Sequence, residues 1–402
     1  MCPERRVTYV SSRTVAGAEP TFLTDELILT GAAIVLPDSL IRGTVVVRGG
    51  VIAEVGTGRS ASASALDCDG DYLIPGIVDL HTDNLERQAQ PRSNARWPSR
   101  SALVMHDAQC AAAGVTTVLD ALCLGDLGFD EGRAQTFRDG IADLDALTDT
   151  GLLKSEHFLH LRCEQPAAGV VELFDAVADH TRLRMVSLMD HSPGVGQYAD
   201  LRYYTSLKRR EGYSPEAIEG RIAELRQQRA RLRGPNRESL LARVAGRSVA
   251  IASHDDRTEE EIAGNAADGI RISEFPVTLA AAEAAKRAGM DVIAGAPNIV
   301  RGGSHSGNVR AADLLRAGAV DAFASDYVPA SLAEAAFLAA AGPNGRPLPD
   351  AIALISDRPA RIAGLADRGR IAAGCRADLV RVRLHEGLPI IRAVWRAGER
   401  VA

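Results

Sequence analysis

Metal-capable side chains stand at regular positions in this sequence, each at the end of a short apolar run. His81 and Asp83 close the run GIVDLHTD, and Glu164 closes the run HFLHLRCE. Later runs end in the same way. Their terminal polar residues are His191, the stretch His254-Asp255-Asp256, Glu274, Asn298 and Asp326. Imidazole and carboxylate groups together suit Zn²⁺, Mn²⁺, Fe²⁺ or Ni²⁺. Because so many buried carboxylates are costly without a cation, the pattern predicts one or two divalent ions, with zinc as the first choice.

The roles within this site follow from residue type and position. Alternation along a strand places His81 and Asp83 on the same face, so both can point into one site. Asp326 ends the last run and is also predicted to be the catalytic base, which takes a proton from water. Asp255 and Asp256 are predicted to orient the histidines. The predicted metal ligands are His81, Asp83, Glu164, His191, His254 and Asp326.

The other histidines have no comparable position and are predicted to be structural. They lie inside predicted helices, early in a strand, or near a chain end. These are His106, His157, His160, His180 and His385.

A Gly/Ser-rich stretch, RGGSHSGN, follows the seventh apolar run. Its glycines let backbone N–H groups approach an anion, and its side chains add further donors. We predict that it binds phosphate; a flexible loop before a helix is the alternative. The predicted substrate-binding residues here are Asn298, Arg301, Gly302, Gly303, Ser304, His305, Ser306 and Asn308. Glu274 and two arginines of the loop after the first run, Arg92 and Arg96, complete this set.

The elements that must position these residues are eight apolar runs separated by helical stretches. Such alternation indicates a parallel sheet covered on both faces. Eight units favour a closed (β/α)8 barrel, in which the strand ends converge on one catalytic face. The runs are GIVDLHTD, GVTTVLDAL, HFLHLRCE, RMVSLMDH, VAIASHDD, IRISEFP, DVIAGAPN and DAFASDY.

The predicted barrel covers residues 74–364, and the two chain ends, 21–73 and 365–402, are predicted to form one small β-sandwich module. Gly49-Gly50 between two Val-rich runs indicates a hairpin. Residues 1–20 are predicted to be a loose extension. An Arg- and Glu-rich insertion near 197–247 is a lid, a dimer contact or a solvated helix pair.

Bulk composition restricts the class of protein. Hydrophobic residues make up 46% and charged residues 24% of 402, with a net charge of −6. This balance argues against a nucleic-acid binder. Residues 1–20 lack the apolar core expected of a signal peptide, and no run approaches the ~20 apolar residues of a membrane span. Its 6 cysteines contain no C-x-x-C pair, so we expect reduced thiols and a cytoplasmic location, with a homo-oligomer left open.

Several runs carry a family resemblance. IPGIVDLH at 74–81, GVTT at 114–117, and RPAR, GRI and GCRADLV between 358 and 380 resemble the amidohydrolase superfamily. The resemblance implies a metal-dependent hydrolase with a barrel and a small β module. Two features depart from the family pattern: Asp83 replaces the second histidine of His-x-His, and His191 and His254 fall on predicted strands 4 and 5 instead of 5 and 6.

A narrower resemblance involves LHTDNLE, SLMDHSPGVGQ, ASHDD, ISEFP, APNIVRGGSHSGN and SDYVPASL. These stretches are similar to the diphosphohydrolase branch of the carbon–phosphorus lyase pathway. That resemblance implies a small phosphorylated ribose substrate, α-D-ribose 1-methylphosphonate 5-triphosphate, cut to the 5-phosphate and pyrophosphate. The alternatives are a C–N hydrolase, such as a deaminase or cyclic amidase, and a non-catalytic scaffold.

Overall fold

The computed structural model describes residues 26–92, 95–127, 131–304, 306–341 and 345–402. The predicted extension over residues 1–20 and the predicted substrate residue His305 lie outside these ranges. Two sheets organise the described chain, one in the barrel and one built from both chain ends.

The predicted barrel is confirmed: its eight parallel strands coincide with the eight apolar runs. They pair in chain order from first to last. The strands are β6 (Ile77–Thr82), β7 (Val115–Leu124), β8 (Glu156–Glu164), β9 (Leu183–Met189), β10 (Ala250–His254), β11 (Ile272–Glu274), β12 (Asp291–Gly295) and β13 (Ala322–Ala324). His191 therefore comes two residues after the fourth strand and His254 ends the fifth, in agreement with the predicted strand numbers.

Alternation along β8 shows how the strands set up the site. Leu159, Leu161 and Cys163 pack into the apolar layer between strands and helices. Phe158 belongs to the cluster inside the barrel. Because successive side chains point to opposite faces, residues 160, 162 and 164 share the inner face with Phe158. Of these three, Arg162 and Glu164 reach the open end of the barrel.

Closure of the barrel joins the first strand to the last. Thr82 bridges Asp326, and the amide of Asp326 donates to the carbonyl of His81 at 2.9 Å. The amide of Asp83 donates back to the carbonyl of Asp326 at 2.5 Å. This contact places two predicted ligands of the first strand beside the predicted base.

Helices cover the outside of the barrel. They are α1 (Asn84–Ala89), α2 (Ser99–Ala112), α3 (Glu131–Thr148), α4 (Val170–Asp175), α5 (Leu201–Arg210), α6 (Pro215–Val244), α7 (Glu259–Ala267), α8 (Leu279–Arg287), α9 (Ala296–Val300), α10 (Ala311–Arg316), α11 (Ser331–Ala340), α12 (Leu348–Ala353) and α13 (Asp357–Ile362). None of the helices in the described ranges is long and apolar enough to cross a membrane.

The predicted insertion consists of α5 and α6, and it is not a solvated helix pair. Leu225, Leu240 and Val244 of α6 are buried in the main apolar core. Asn236 donates to the carbonyl oxygens of Gln165 and Ala167 at 2.7 and 3.0 Å, which ties α6 to the loop after β8. This anchoring holds the preceding helix, α5, over the open end of the barrel.

Both chain ends build the second sheet, as predicted. Its strands are β1 (Glu26–Val35), β2 (Leu40–Arg48), β3 (Val51–Thr57), β4 (Leu66–Asp67), β5 (Tyr72–Pro75), β14 (Leu379–His385), β15 (Leu388–Arg396) and β16 (Glu399–Arg400). They pair in the order β16-β15-β14-β5-β1-β2-β3, with β4 beside β1. The predicted hairpin at Gly49-Gly50 joins β2 to β3, and both glycines have positive φ. The edge strand β3 also contacts the segment before β14, where the amide of Ile52 donates to the carbonyl of Cys375 at 2.8 Å.

A fully buried polar network ties α2 to β7 and β8. Asp120 accepts from His106 Nε2 at 2.7 Å and from His157 Nδ1 at 2.8 Å. Asp107 contacts His157 Nε2 at 3.2 Å and accepts from the amides of Lys154 and Ser155. The predicted structural roles of His106 and His157 agree with these contacts.

This network gives the fold a pH-dependent stability. Burial alone would lower the pKa of His157, but Asp120 and Asp107 outweigh it and raise the pKa to about 9. The unfolded pKa is about 6.5, so the contribution is fully present below pH ~6.5 and is lost as the pH rises through ~9. We expect the free energy of unfolding, measured by denaturant titration, to fall over this interval. In His157→Gln the decrease in the free energy of unfolding between these pH values should be smaller. The same pH dependence in the variant and the wild-type protein would contradict a charged His157.

Candidate active site and metal centre

A cavity of about 900 Å³ opens at the carboxyl ends of the barrel strands. It brings together most of the residues predicted to bind metal and substrate. Those on its wall are His81, Asp83, Glu164, His191, His254, Asn298, Arg301, Gly303, Ser304, Ser306, Asn308 and Asp326.

Three histidines at this cavity share one hydrogen-bonding pattern. Glu274 binds the Nδ1 atoms of His81 and His254 through its two oxygens, at 2.8 and 2.7 Å. Glu164 binds His191 Nδ1 at 2.7 Å. A carboxylate on one ring nitrogen fixes the tautomer and leaves the other nitrogen free to bind a metal. Each histidine therefore offers its Nε2 atom as a ligand.

The donor atoms form two neighbouring groups. One comprises His81, Asp83 and Asp326, and the other comprises His191, His254 and Asp255; within each group the ligand atoms lie within 4.8 Å of one another. His81 Nε2, His191 Nε2 and Asp255 Oδ2 are buried without a hydrogen-bond partner. Buried polar atoms without partners are costly, and a divalent cation at the second group would satisfy both His191 Nε2 and Asp255 Oδ2. The residues present therefore fit a metal ion.

The electrostatics of the cavity also favour a cation. Burial alone would raise the pKa of Glu274, but His81 outweighs it and holds that pKa well below its ordinary value. The pKa of Glu164 is likewise lowered, by His191 against burial. Burial alone would lower the pKa of His81, and Glu274 together with Asp83 raises it to about 10. The carboxylates beside the histidines are thus held in their ionised form, in which they pair with positive charge.

The predicted base, Asp326, lies in a different environment. Burial, followed by the charge of Asp83, raises its pKa to about 6. Asp326, Asp255 and Phe275 have φ angles of 55°, 58° and 54°. Such left-handed backbone is unfavourable for residues other than glycine and clusters at functional sites. The ends of β10, β11 and β13 are therefore held in a strained geometry that aims these side chains.

Sequence reasoning missed an arginine in the middle of the site. Arg162, on the inner face of β8, donates from Nη1 to Asp83 Oδ1 at 2.7 Å. Its side chain is 6% exposed. The signal was available, because Arg162 precedes Glu164 by two residues and must share its face.

Further cations lie on the rim of the cavity. Arg87 donates to the carbonyl of Tyr327 at 2.7 Å, and Arg301 lies 3.5 Å from the hydroxyl of the same tyrosine. Lys208 of α5 lines the same cavity. The cavity wall therefore carries several cations in addition to Arg162.

Several predicted residues have different partners. Arg92 is exposed, and Arg96 donates to the carbonyl of Gly132 and to Thr136; neither is among the described residues of the cavity wall. The prediction that these arginines contact substrate is thus not supported, because local contacts of the loop after β6 hold Arg96 against α3. Gly302 is also absent from the described wall.

Three predicted carboxylate roles change as well. Glu274, predicted to bind substrate, is fully buried beneath the histidines and also accepts from Ser187 at 2.8 Å. Glu164, predicted to be a metal ligand, is engaged by both the ring and the amide of His191. Asp256, predicted to orient a histidine, accepts instead from Ser253 and Ser273. Glu164 and Glu274 are therefore the orienting groups.

Two further histidines, His160 and His180, have partners that are not among the described residues of the cavity wall. His160 bonds the carbonyl of Leu80 and the hydroxyl of Ser187, and burial lowers its pKa to about 3. His180 bonds Asp145 on the outer surface at 3.0 Å. These contacts agree with the predicted structural roles.

The chain resembles known proteins in both sequence and structure. Residues 258–401 match the model of the amidohydrolase family. The chain is 40% identical, over 93% of its length and 100% of the relative, to α-D-ribose 1-methylphosphonate 5-triphosphate diphosphatase of Escherichia coli K12. It is 26% identical, over 38% of its length and 31% of the relative, to a D-hydantoinase of Ralstonia pickettii.

Solved structures show the same fold at low sequence identity. N-isopropylammelide isopropylaminohydrolase from Burkholderia multivorans gives a TM-score of 0.61 at 17% identity, over 93% of this chain and 97% of that one. Dihydropyrimidinase from Brevibacillus agri gives a TM-score of 0.62 at 12% identity, over 93% and 94%. The fold, the donor groups at the barrel mouth and the near full-length relative agree: the chain belongs to the amidohydrolase family, in the same branch as the Escherichia coli diphosphatase.

Proposed function

We propose that this protein hydrolyses α-D-ribose 1-methylphosphonate 5-triphosphate to the 5-phosphate and pyrophosphate. The observation that carries the proposal is the set of three histidines, each held by a carboxylate at Nδ1, in a cavity with cations on its walls. The similarity to the Escherichia coli diphosphatase over nearly the whole chain supports this substrate.

The donor groups at the cavity would hold a divalent ion, for which zinc is our first choice because imidazole and carboxylate ligands suit it. Such an ion supplies Lewis-acid activation of water and of a phosphoryl oxygen. The chain's own residues orient the histidines through Glu164 and Glu274 and exclude bulk water by burial.

Asp326 is the proposed base. Its carboxylate lies beside His81 and Asp83, where it accepts a proton from the attacking water. The water oxygen bonds to the α-phosphorus, the bond between that phosphorus and the bridging oxygen breaks, and pyrophosphate leaves. Arg301 and the donors of Ser304 and Ser306 neutralise charge on the departing group.

Phosphorus NMR in ¹⁸O-labelled water tests this function. We expect pyrophosphate to appear and the label to enter the 5-phosphate, because attack occurs at the α-phosphorus. Release of orthophosphate, or label in pyrophosphate, would exclude this bond cleavage. Turnover of a hydantoin with none of the triphosphate would favour a C–N hydrolase instead.

The anion-binding role of Arg301 gives a prediction of its own. Arg301→Gln removes a charged donor from the cavity wall, so we expect KM for the triphosphate to rise about 10-fold or more, the scale of one charged hydrogen bond. Arg96→Gln is the matched control, because Arg96 is not on the described cavity wall. Equal KM values for the two variants would remove Arg301 from the substrate site.

A further inference from the structure

Arg162 contacts the first of the two donor groups, which consists of His81, Asp83 and Asp326. Asp83 Oδ1, which accepts from Arg162 at 2.7 Å, is also the carboxylate oxygen 3.4 Å from His81 Nε2. The guanidinium group of Arg162 and an ion held by His81, Asp83 and Asp326 would therefore compete for the same oxygen of Asp83.

The arginine has little freedom to move away or to lose its charge. Its side chain is 6% exposed and lies on the inner face of β8, where the residues on either side are buried as well. A guanidinium group stays protonated at any physiological pH. An ion bonded to Asp83 at about 2.1 Å would lie within about 5 Å of Nη1, given the 2.7 Å hydrogen bond. At that distance two positive charges repel strongly in a buried site.

The second donor group has no such neighbour. His191 Nε2 and His254 Nε2 lie 3.8 and 3.9 Å from Asp255 Oδ2. His191 Nε2 and Asp255 Oδ2 have no hydrogen-bond partner. No arginine or lysine is paired with Asp255 among the ion pairs of the described residues. This group is therefore open to a cation.

We propose that Arg162 takes the place of a second metal ion, so that the protein binds one ion tightly, at His191, His254 and Asp255. The fixed guanidinium then neutralises Asp83 and presents positive charge to the anionic substrate from the cavity wall. This inference rests on the proposed metal-dependent function and specifies the number of ions in it.

Metal titration tests the proposal without reference to activity. Chelator-treated protein is titrated with Zn²⁺ alone by calorimetry, and bound zinc is counted after dialysis. We expect one tight ion per chain in the wild-type protein and in Arg162→Lys, and two in Arg162→Met. Arg87→Met, which removes a rim cation of the same cavity, should still bind one.

Two tight ions in the wild-type protein, or one in a folded Arg162→Met, would overturn the proposal while leaving the proposed function intact. No bound ion in any variant would overturn both. Should Arg162→Met not fold, electron paramagnetic resonance of the wild-type protein with Mn²⁺ decides. Isolated-ion spectra at excess Mn²⁺ support one site, whereas the coupled signal of two ions about 4 Å apart contradicts it.

Discussion

Asp326→Asn is expected to lower kcat for triphosphate hydrolysis at least ~100-fold, the usual scale for a positioned base. The amide keeps the shape of the side chain but cannot accept the proton of the attacking water. Because the backbone of Asp326 closes the barrel through His81 and Asp83, the fold does not depend on the side-chain charge. We therefore expect the variant to retain its metal content and its melting temperature.

The control for this experiment is Asp350→Asn, which changes an exposed carboxylate at α12. Its kcat should equal that of the wild-type protein. Near-normal turnover in Asp326→Asn would show that another group takes the proton. Loss of the metal together with the activity would instead make Asp326 a ligand.

Glu274→Gln is expected to weaken zinc affinity by 10- to 100-fold, the scale found for residues that orient metal-bound histidines. Glu274 serves both His81 and His254, with one oxygen for each. A glutamine can accept from only one of them, so the other ring loses its fixed tautomer. Competition with a zinc chelator measures the change in affinity.

Glu164→Gln provides a comparison, because Glu164 orients His191, the other histidine of the proposed tight site. Its effect should be of the same order as that of Glu274→Gln. The exposed Glu283 of α8, changed to Gln, should have no effect. If Glu274→Gln binds zinc within twofold of the wild-type protein while remaining folded, the buried carboxylate does not orient the ligands.

The local pattern of the sequence determined the barrel and the location of its active face. Apolar runs that alternate with helices are short-range features, and each run carries its own terminal residue. That is why all eight strands were predicted, and why His191 and His254 were placed on the correct strands. The join of both chain ends into one sheet followed from the same kind of evidence.

Tertiary structure alone decided which side chains serve each other. His81 and Glu274 are 193 residues apart in sequence, and only closure of the barrel brings them to 2.8 Å. The same closure sets Asp326 beside Asp83 and turns Arg162 toward the predicted metal ligands. Arg96, by contrast, is held by nearby backbone of α3 and does not reach the cavity.

The motif His81-Thr82-Asp83 shows most clearly which features follow from the local sequence and which from the tertiary structure. Its residue types and spacing predicted a ligand pair on one face of the first strand. The structure decided that the aspartate shares its oxygen with an arginine from the third strand. Strand alternation is fixed by neighbouring residues, whereas the charge that surrounds a carboxylate depends on strands brought together by the whole barrel.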